Sequence, residues 1–185
     1  MTWQILYNPK AGNGRGKEGA EKLKDVLHDG GLTFTDMTGI TDTAVFQRSL
    51  GTDDKLVICG GDGTLNRFIN DFDLSCISNE IYYYATGSGN DFLRTFGTKA
   101  EFLDLDAQLA GGVVPIDLMR TSLGLSATIC AAGLDAQVAY GIPKFRRIPL
   151  CGGEAAYALS IVQQLCGHIG RRVEYVIDGE VLTVD

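Results

Sequence analysis

Short apolar runs alternate with helix-spaced stripes over the first part of the chain. Trp3–Tyr7 is an apolar run closed by Asn8-Pro9 and reads as a strand. After a glycine-bearing loop, Ala11 to Gly16, the positions Ala20, Leu23, Val26 and Leu27 form a helical stripe. The spacing predicts a helix over Lys17–Asp29, stopped by Gly30-Gly31. Leu32–Met37 reads as a second strand, Ala44–Leu50 as a short helix, and Leu56–Cys59 as a buried strand. That third strand ends in Gly60–Gly63, with Thr64 or a neighbour opening the next helix, and Ile81–Ala85 is a fourth strand ended by Gly87-Ser88-Gly89. Strand–helix alternation of this kind predicts a parallel sheet with helices on both faces.

The pattern changes after a last helical segment, Glu101–Ala110, punctuated by Gly111-Gly112. Val113–Met119 and Ser126–Ala132 are strand-like and predict antiparallel pairing across a short Thr-Ser-Leu-Gly connection. Gly153–Cys166 predicts a helix, with Ala156, Leu159, Ile161 or Val162, and Leu165 as candidates for its buried side. Arg172–Ile177 and Glu180–Val184 flank Asp178-Gly179, the strongest hairpin signal in the chain. A boundary is placed near residue 112, giving an α/β domain over 1–112 and the beginning of a mostly antiparallel β domain over 113–185. The last strand leaves an unpaired edge, so either a partner covers it or a downstream segment completes the fold.

Composition adds one departure from the ordinary: 24 glycines in 185 residues, nearly double the usual share of ~7%. Several stand just after the apolar runs, where backbone can approach a ligand. The net charge is −7, most of it within residues 1–112, which argues against nonspecific nucleic-acid binding. One basic patch, Lys144, Phe145, Arg146 and Arg147, reads first as a solvated loop and second as a peripheral membrane contact. Five cysteines without a C-x-x-C pair suggest neither a disulfide framework nor zinc; Cys59 and Cys130, in apolar runs, read as small core residues. No apolar run reaches the ~18 residues of a membrane span. The chain starts directly in a strand, so a reducing, cytoplasmic setting is the default expectation.

Three glycine-bearing loops follow three strands: Asn8-Pro9-Lys10-Ala11-Gly12-Asn13-Gly14, Gly60-Gly61-Asp62-Gly63-Thr64-Leu65-Asn66, and Ala85-Thr86-Gly87-Ser88-Gly89-Asn90-Asp91. In a parallel sheet they should converge at one edge, where ligands bind. Each loop alone could simply close a tight strand–helix connection. Together they suit a nucleotide: glycines admit phosphate oxygens to backbone N–H groups, and a helix N-terminus adds a favourable dipole. Thr64, Asn66, Ser88 and Asn90 supply neutral hydrogen bonds. Asp62 and Asp91 make sense beside phosphate chiefly if Mg²⁺ lies between, although Asp62 also suits a helix N-cap. A Walker A loop is rejected, because Ala11 stands at its first glycine and Glu18 at its Ser/Thr. A dinucleotide fingerprint is the runner-up, with Gly12, Gly14 and Gly16 and with Asp36 near the ribose-binding position.

Asn8-Pro9 with Gly12, Gly60-Gly61-Asp62-Gly63-Thr64-x-Asn66, and Gly87-Ser88-Gly89-Asn90-Asp91-Phe92 resemble the motifs of the diacylglycerol kinase catalytic-domain family, which includes bacterial lipid kinases and sphingosine kinases. Ile116-Asp117 and Ala132-Gly133-Leu134-Asp135-Ala136 resemble the opening of that family's second domain, so the resemblance implies that 113–185 is the first part of a mostly antiparallel, lipid-binding β-sandwich. The resemblance implies ATP between two domains, held by Asn8, Pro9, Lys10, Ala11, Gly12, Thr38, Gly60, Gly61, Asp62, Gly63, Thr64, Asn66, Gly87 and Ser88. It implies Asp62, Asp91 and Asp117 as acids organising Mg²⁺ and its waters, and a lipid alcohol such as diacylglycerol as acceptor; a homo-oligomer stays open. Three positions depart from the family pattern: Arg67 for Glu, Ser88 for Thr and Ala85 for Pro. The family's general base lies in a late Asp-Gly-Asp/Glu motif; Asp178-Gly179-Glu180 fits an ordinary hairpin better, so the base is expected downstream of Asp185. Two other readings remain open: a non-catalytic nucleotide-binding or assembly module, and a NAD-dependent oxidoreductase.

Overall fold

A computed structural model describes residues 1–87, 89–148, 151, 153–167 and 173–184. They divide into two compact units, 1–129 and 130–185. The first unit is built on four parallel strands, β1 (Thr2–Tyr7), β2 (Gly31–Asp36), β3 (Lys55–Gly60) and β4 (Ile81–Ala85), in the order β2-β1-β3-β4. The register aligns their C-terminal ends: Tyr7 pairs with both Asp36 and Cys59, and Gly60 pairs with Ala85. Central β3 is buried on both faces. Leu56 and Ile58 point into a core with Leu6, Met37, Phe68 and Phe72, while Val57 and Cys59 point into a second with Trp3, Ile5, Ala20, Leu23 and Leu105. The predicted parallel sheet flanked by helices is therefore present.

A tight turn, α1 (Ala11–Gly14), leads into α2 (Gly16–Glu21). The helix expected over Lys17–Asp29 is shorter: α2 tightens into a 3₁₀ turn at Lys22–Asp25. Ala20, Leu23 and Leu27 are buried as the stripe requires. Beyond them the Trp3 indole N–H donates to the Asp29 carbonyl at 2.8 Å, so the chain end is held by the sheet instead of by another helical turn. The expected helices after β2 and β3 are α3 (Thr43–Ser49) and α4 (Asp62–Asp71). On α4, Thr64, Leu65, Phe68 and Ile69 are buried, one stripe facing the sheet.

The single helix expected at Glu101–Ala110 is two: α5 (Lys99–Leu103) and α6 (Leu105–Gly111). Asp104 breaks it by taking an extended backbone and accepting from the Ala107 N–H at 3.0 Å as an N-cap. Antiparallel pairing follows, but only β5 (Met119–Thr121) and β6 (Gly124–Ser126) form. The residues expected to lengthen them, 113–118 and 127–132, have no strand partner among the described residues. Val113 and Val114 stay exposed, since β-rich composition alone does not make a strand without a neighbour.

The second unit holds a helix the periodicity did not suggest, α7 (Leu134–Phe145), then α8 (Gly153–Leu165) and the hairpin β7 (Val173–Ile177)–β8 (Glu180–Val184). Arg172, expected to begin that hairpin, lies outside the described residues. The Asp-Gly turn forms as expected, with Asp178 and Gly179 both at positive φ. Lys144 and Phe145 close α7 and Arg146 caps it, so the basic patch sits at a helix end and not on a loop. The buried side of α8 keeps Ala156 as expected, with Ile161 half-buried, and departs from the other candidates. Ala156 and Ser160 are fully buried, whereas Leu159, Val162 and Leu165 are exposed. Small residues win because α7 packs close: the Ser160 hydroxyl donates to the Val138 carbonyl at 2.7 Å, and Gly141 has no room for a Cβ beside Ser160. Cys130, expected in a core, is exposed. No described helix is long and apolar enough to cross a membrane.

Candidate active site

The aligned strand ends bring the three glycine-bearing loops together. The N–H groups of Thr86 and Gly87 both donate to the Gly60 carbonyl, at 2.8 and 3.2 Å. A Cβ on Gly87 would lie 2.5 Å from the Gly61 Cα, so these two loops touch backbone to backbone and Gly87 has no room for a side chain, while a Cβ on Gly61 would be tight at 3.1 Å from the Gly87 Cα. A Cβ on Gly12 would lie 3.1 Å from the Thr86 carbonyl oxygen, which brings the first loop onto the third. The Phe92 N–H donates to Asp62 Oδ1 at 2.9 Å, closing the junction with a carboxylate. Ser88 lies outside the described residues.

Within the first loop, Asn8 organises the turn. Its Oδ1 accepts from the Lys10 N–H at 3.0 Å and its carbonyl from the Ala11 N–H at 3.0 Å. Pro9 occupies the second position of that turn, where its ring fixes φ, and Gly12 and Asn13 both take left-handed backbone, φ 57° and 60°. Thr38 lies at the end of β2, donating through both its N–H and its hydroxyl to Asp36 Oδ1, at 2.8 and 2.7 Å. Thr64 is buried and its side chain packs over Gly60, while Gly63 faces open space. Gly61 caps α4 through its carbonyl, which accepts from Thr64 and Leu65 at 2.8 and 3.1 Å. The N–H groups of a helix's first turn lack intrahelical partners, so this end of α4 is suited to an anion.

The acids are less gathered than the loops. Asp91 pairs with Arg94 at 3.3 Å, and Asp117 is exposed in the irregular segment before β5. Among the described residues no three of His, Cys, Asp and Glu form a group able to hold a metal by themselves. Mg²⁺ does not demand one, because it keeps several waters and is commonly held by one or two carboxylates plus substrate phosphates. Asp62, with one oxygen committed to Phe92, fits that mode. Arg67 does not turn toward the loop; its Nε donates to Asp71 Oδ2 at 2.8 Å along the helix.

Two buried polar atoms at this junction have no hydrogen-bond partner among the described residues, Asn90 Oδ1 and the Tyr83 hydroxyl. Asn90 is almost wholly buried in left-handed backbone, and its amide donates to the Gly87 carbonyl at 2.8 Å. Burial pushes the Tyr83 hydroxyl pKa well up, and the nearby Asp62 charge adds to it. Tyr83 and Thr86 were not singled out by sequence; each sits inside an apolar run or a loop without a mark of its own.

A parallel sheet with β1 between β2 and β3, and with the β1 and β3 loops each meeting the loop after β4 at its edge, defines an α/β domain with a topological switch point between β1 and β3, the place where open α/β sheets bind ligands. Residues 2–121 match the diacylglycerol kinase catalytic domain, and the chain belongs to that kinase family. It is 25% identical over 186 residues to a diacylglycerol kinase of Bacillus subtilis (strain 168), covering 96% of this chain and 60% of that protein. It is 26% identical over 190 residues to one of Staphylococcus carnosus (strain TM300), covering 97% and 61%. A crystal structure described as a diacylglycerol kinase from Bacillus anthracis str. Sterne superposes with a TM-score of 0.53 at 22% identity, over 99% of this chain and 60% of that one. The chain thus spans about three fifths of the length of these relatives.

Proposed function

We propose that this chain binds ATP with Mg²⁺ as the nucleotide half of a lipid kinase, which passes the γ-phosphoryl group to the hydroxyl of a lipid alcohol such as diacylglycerol. The observation that carries the reading is the backbone-to-backbone meeting of Gly61 with Gly87 and of Gly12 with Thr86 at one sheet edge. At Gly87 a Cβ would collide with the Gly61 backbone, and the left-handed backbone of Gly12 favours glycine, so the loops close on one another beside the N-terminus of α4. The Asn8–Gly12 turn, Gly60–Thr64 with Asn66, Thr38 and Gly87–Ser88 would hold the nucleotide. Asp62, Asp91 and Asp117 would orient the cation's waters. Bound Mg²⁺ supplies neutralisation of developing phosphate charge; the chain supplies position and dipoles.

The lipid would approach from residues beyond the first unit. An open depression of about 410 Å³ in the second unit, lined by Gly133, Ala136, Gln137, Tyr140, Gly141 and Gln164, offers a surface for an acyl chain. The basic end of α7, with Lys144, Arg146 and Arg147 exposed, would favour an anionic bilayer surface. Transfer itself belongs to a protein of the relatives' full length.

Calorimetric titration with ATP and Mg²⁺ tests the reading. Binding should weaken about tenfold or more in Asp62→Ala and in Gly87→Ala, and less in Asp36→Ala, which acts only through the Thr38 that it holds. Tight NAD(H) binding that is lost in Asp36→Ala would replace this reading with the oxidoreductase one. The sheet order already disfavours that alternative, since the dinucleotide fold places β4 beside β1, where here β3 lies.

A further inference from the structure

Asn70 lies on the exposed side of α4, two turns from Asp62, where an asparagine ordinarily meets only water. Its carboxamide instead reads the backbone of β6 as a neighbouring strand would. The Leu125 N–H donates to Asn70 Oδ1 at 2.8 Å, and Asn70 Nδ2 donates to the Leu125 carbonyl at 2.8 Å. The same Nδ2 donates to the Asn66 carbonyl at 2.8 Å, which fixes the side chain to its own helix. Gly124 completes the fit: it adopts φ 129°, and a Cβ there would overlap Asn70 Oδ1. Leu118, Leu125 and Ala127 pack against the core beneath. One side chain thus clips the β5–β6 hairpin to the helix whose first residues are Asp62 and Gly63.

We propose that Asn70 is a positioning residue: by clamping the β5–β6 hairpin to α4 it holds Asp117, two residues ahead of β5, in register with the Gly60–Thr64 loop. The inference rests on the proposed nucleotide site and deepens it, since Asp117 stands in an exposed irregular segment and its nearest fixed point along the chain is the hairpin that Asn70 holds. Apolar packing alone would let a three-residue hairpin slide on the helix; paired donor and acceptor bonds do not.

The test compares wild type, Asn70→Ala, Asn70→Asp and Asp117→Ala in two measurements. Amide hydrogen exchange at residues 119–126 should quicken about tenfold in Asn70→Ala, the size expected for losing one to two net hydrogen bonds. Exchange in β1 and β3 should not change, which shows that the variant is folded. Asn70→Asp keeps the acceptor for Leu125 and loses the donors, so it should fall between. ADP affinity is then measured with and without Mg²⁺. Asn70→Ala should lose the same Mg²⁺-dependent part of the affinity as Asp117→Ala, and Asn70→Asp should recover part of it. Unchanged exchange at 119–126 overturns the clamp. Looser exchange with Mg²⁺-dependent affinity intact, or an Asp117→Ala variant that binds like wild type, overturns the positioning role. If wild type binds no nucleotide, the functional reading fails and the positioning role with it, while exchange still decides the clamp.

Discussion

Cys59 stands one residue before Gly60, near the floor of the loop cluster, and is fully buried. Burial pushes its thiol up to about 12, against the lowering effect of a contact with the Thr86 hydroxyl. Thiolate is the reactive form, so native protein treated with a maleimide at pH 8 should be labelled at exposed Cys76, Cys130 and Cys166 and not at Cys59; peptide mass spectrometry reads this directly. Labelling of Cys59 at a comparable rate would mean that the strand end opens. Sequence placed Cys59 correctly, because hydrophobic neighbours on both sides of a central strand leave no exposed face. The same reasoning failed for Cys130, whose apolar run has no strand to pair with. Asn70 was illegible for a different reason: a polar residue on a helix's polar face looks the same whether it meets water or a backbone 55 residues away in sequence.

At the scale of the element, α4 joins the site to the rest of the first unit. The Arg67–Asp71 pair runs along its exposed side at the favourable (i, i+4) spacing. Arg67→Glu would restore the residue usual in the family and also place two like charges one turn apart. We expect it to lower stability by about 0.5 kcal/mol at low salt, an effect that shrinks as salt screens the pair. Urea denaturation at two ionic strengths measures it, and a salt-independent change would show that something besides the charge pair is altered. The helices were legible where one periodic stripe met one start signal, as in α3, capped by Asp42 accepting from Val45 N–H at 2.9 Å. They were misread where competing signals overlapped. Asp104 could be an interior residue or a cap, and tertiary packing of Leu105 into the core selected the cap. In α7 the Pro143 near its end and the glycine at its start hid a helix that only its packing on α8 reveals.

For the whole molecule, both hydrophobic cores are built from residues between Trp3 and Ala127, all within the first unit. A chain of residues 1–129 should therefore unfold cooperatively in urea and keep the sheet's circular dichroism. Loss of the transition in that fragment would show that the second unit is needed to complete the first. The second unit by itself exposes Tyr140, Val162, Val176 and Val181, much apolar surface for so small a body. The curated relatives this chain matches are longer, with three fifths of their length covered.

The sequence by itself determined the parallel sheet, the polarity of its three glycine-bearing loops and the family to which they belong. These follow from local facts: buried strands are continuously apolar, and tight loops beside a ligand need glycine. Tertiary structure alone decided that Gly61 meets Gly87, that Asp62 closes onto Phe92, that Arg67 turns to Asp71 and that Asn70 grips Leu125. Each depends on the register of strands and helices far apart in the chain, and register is a property of how whole faces pack, which no single window of residues carries.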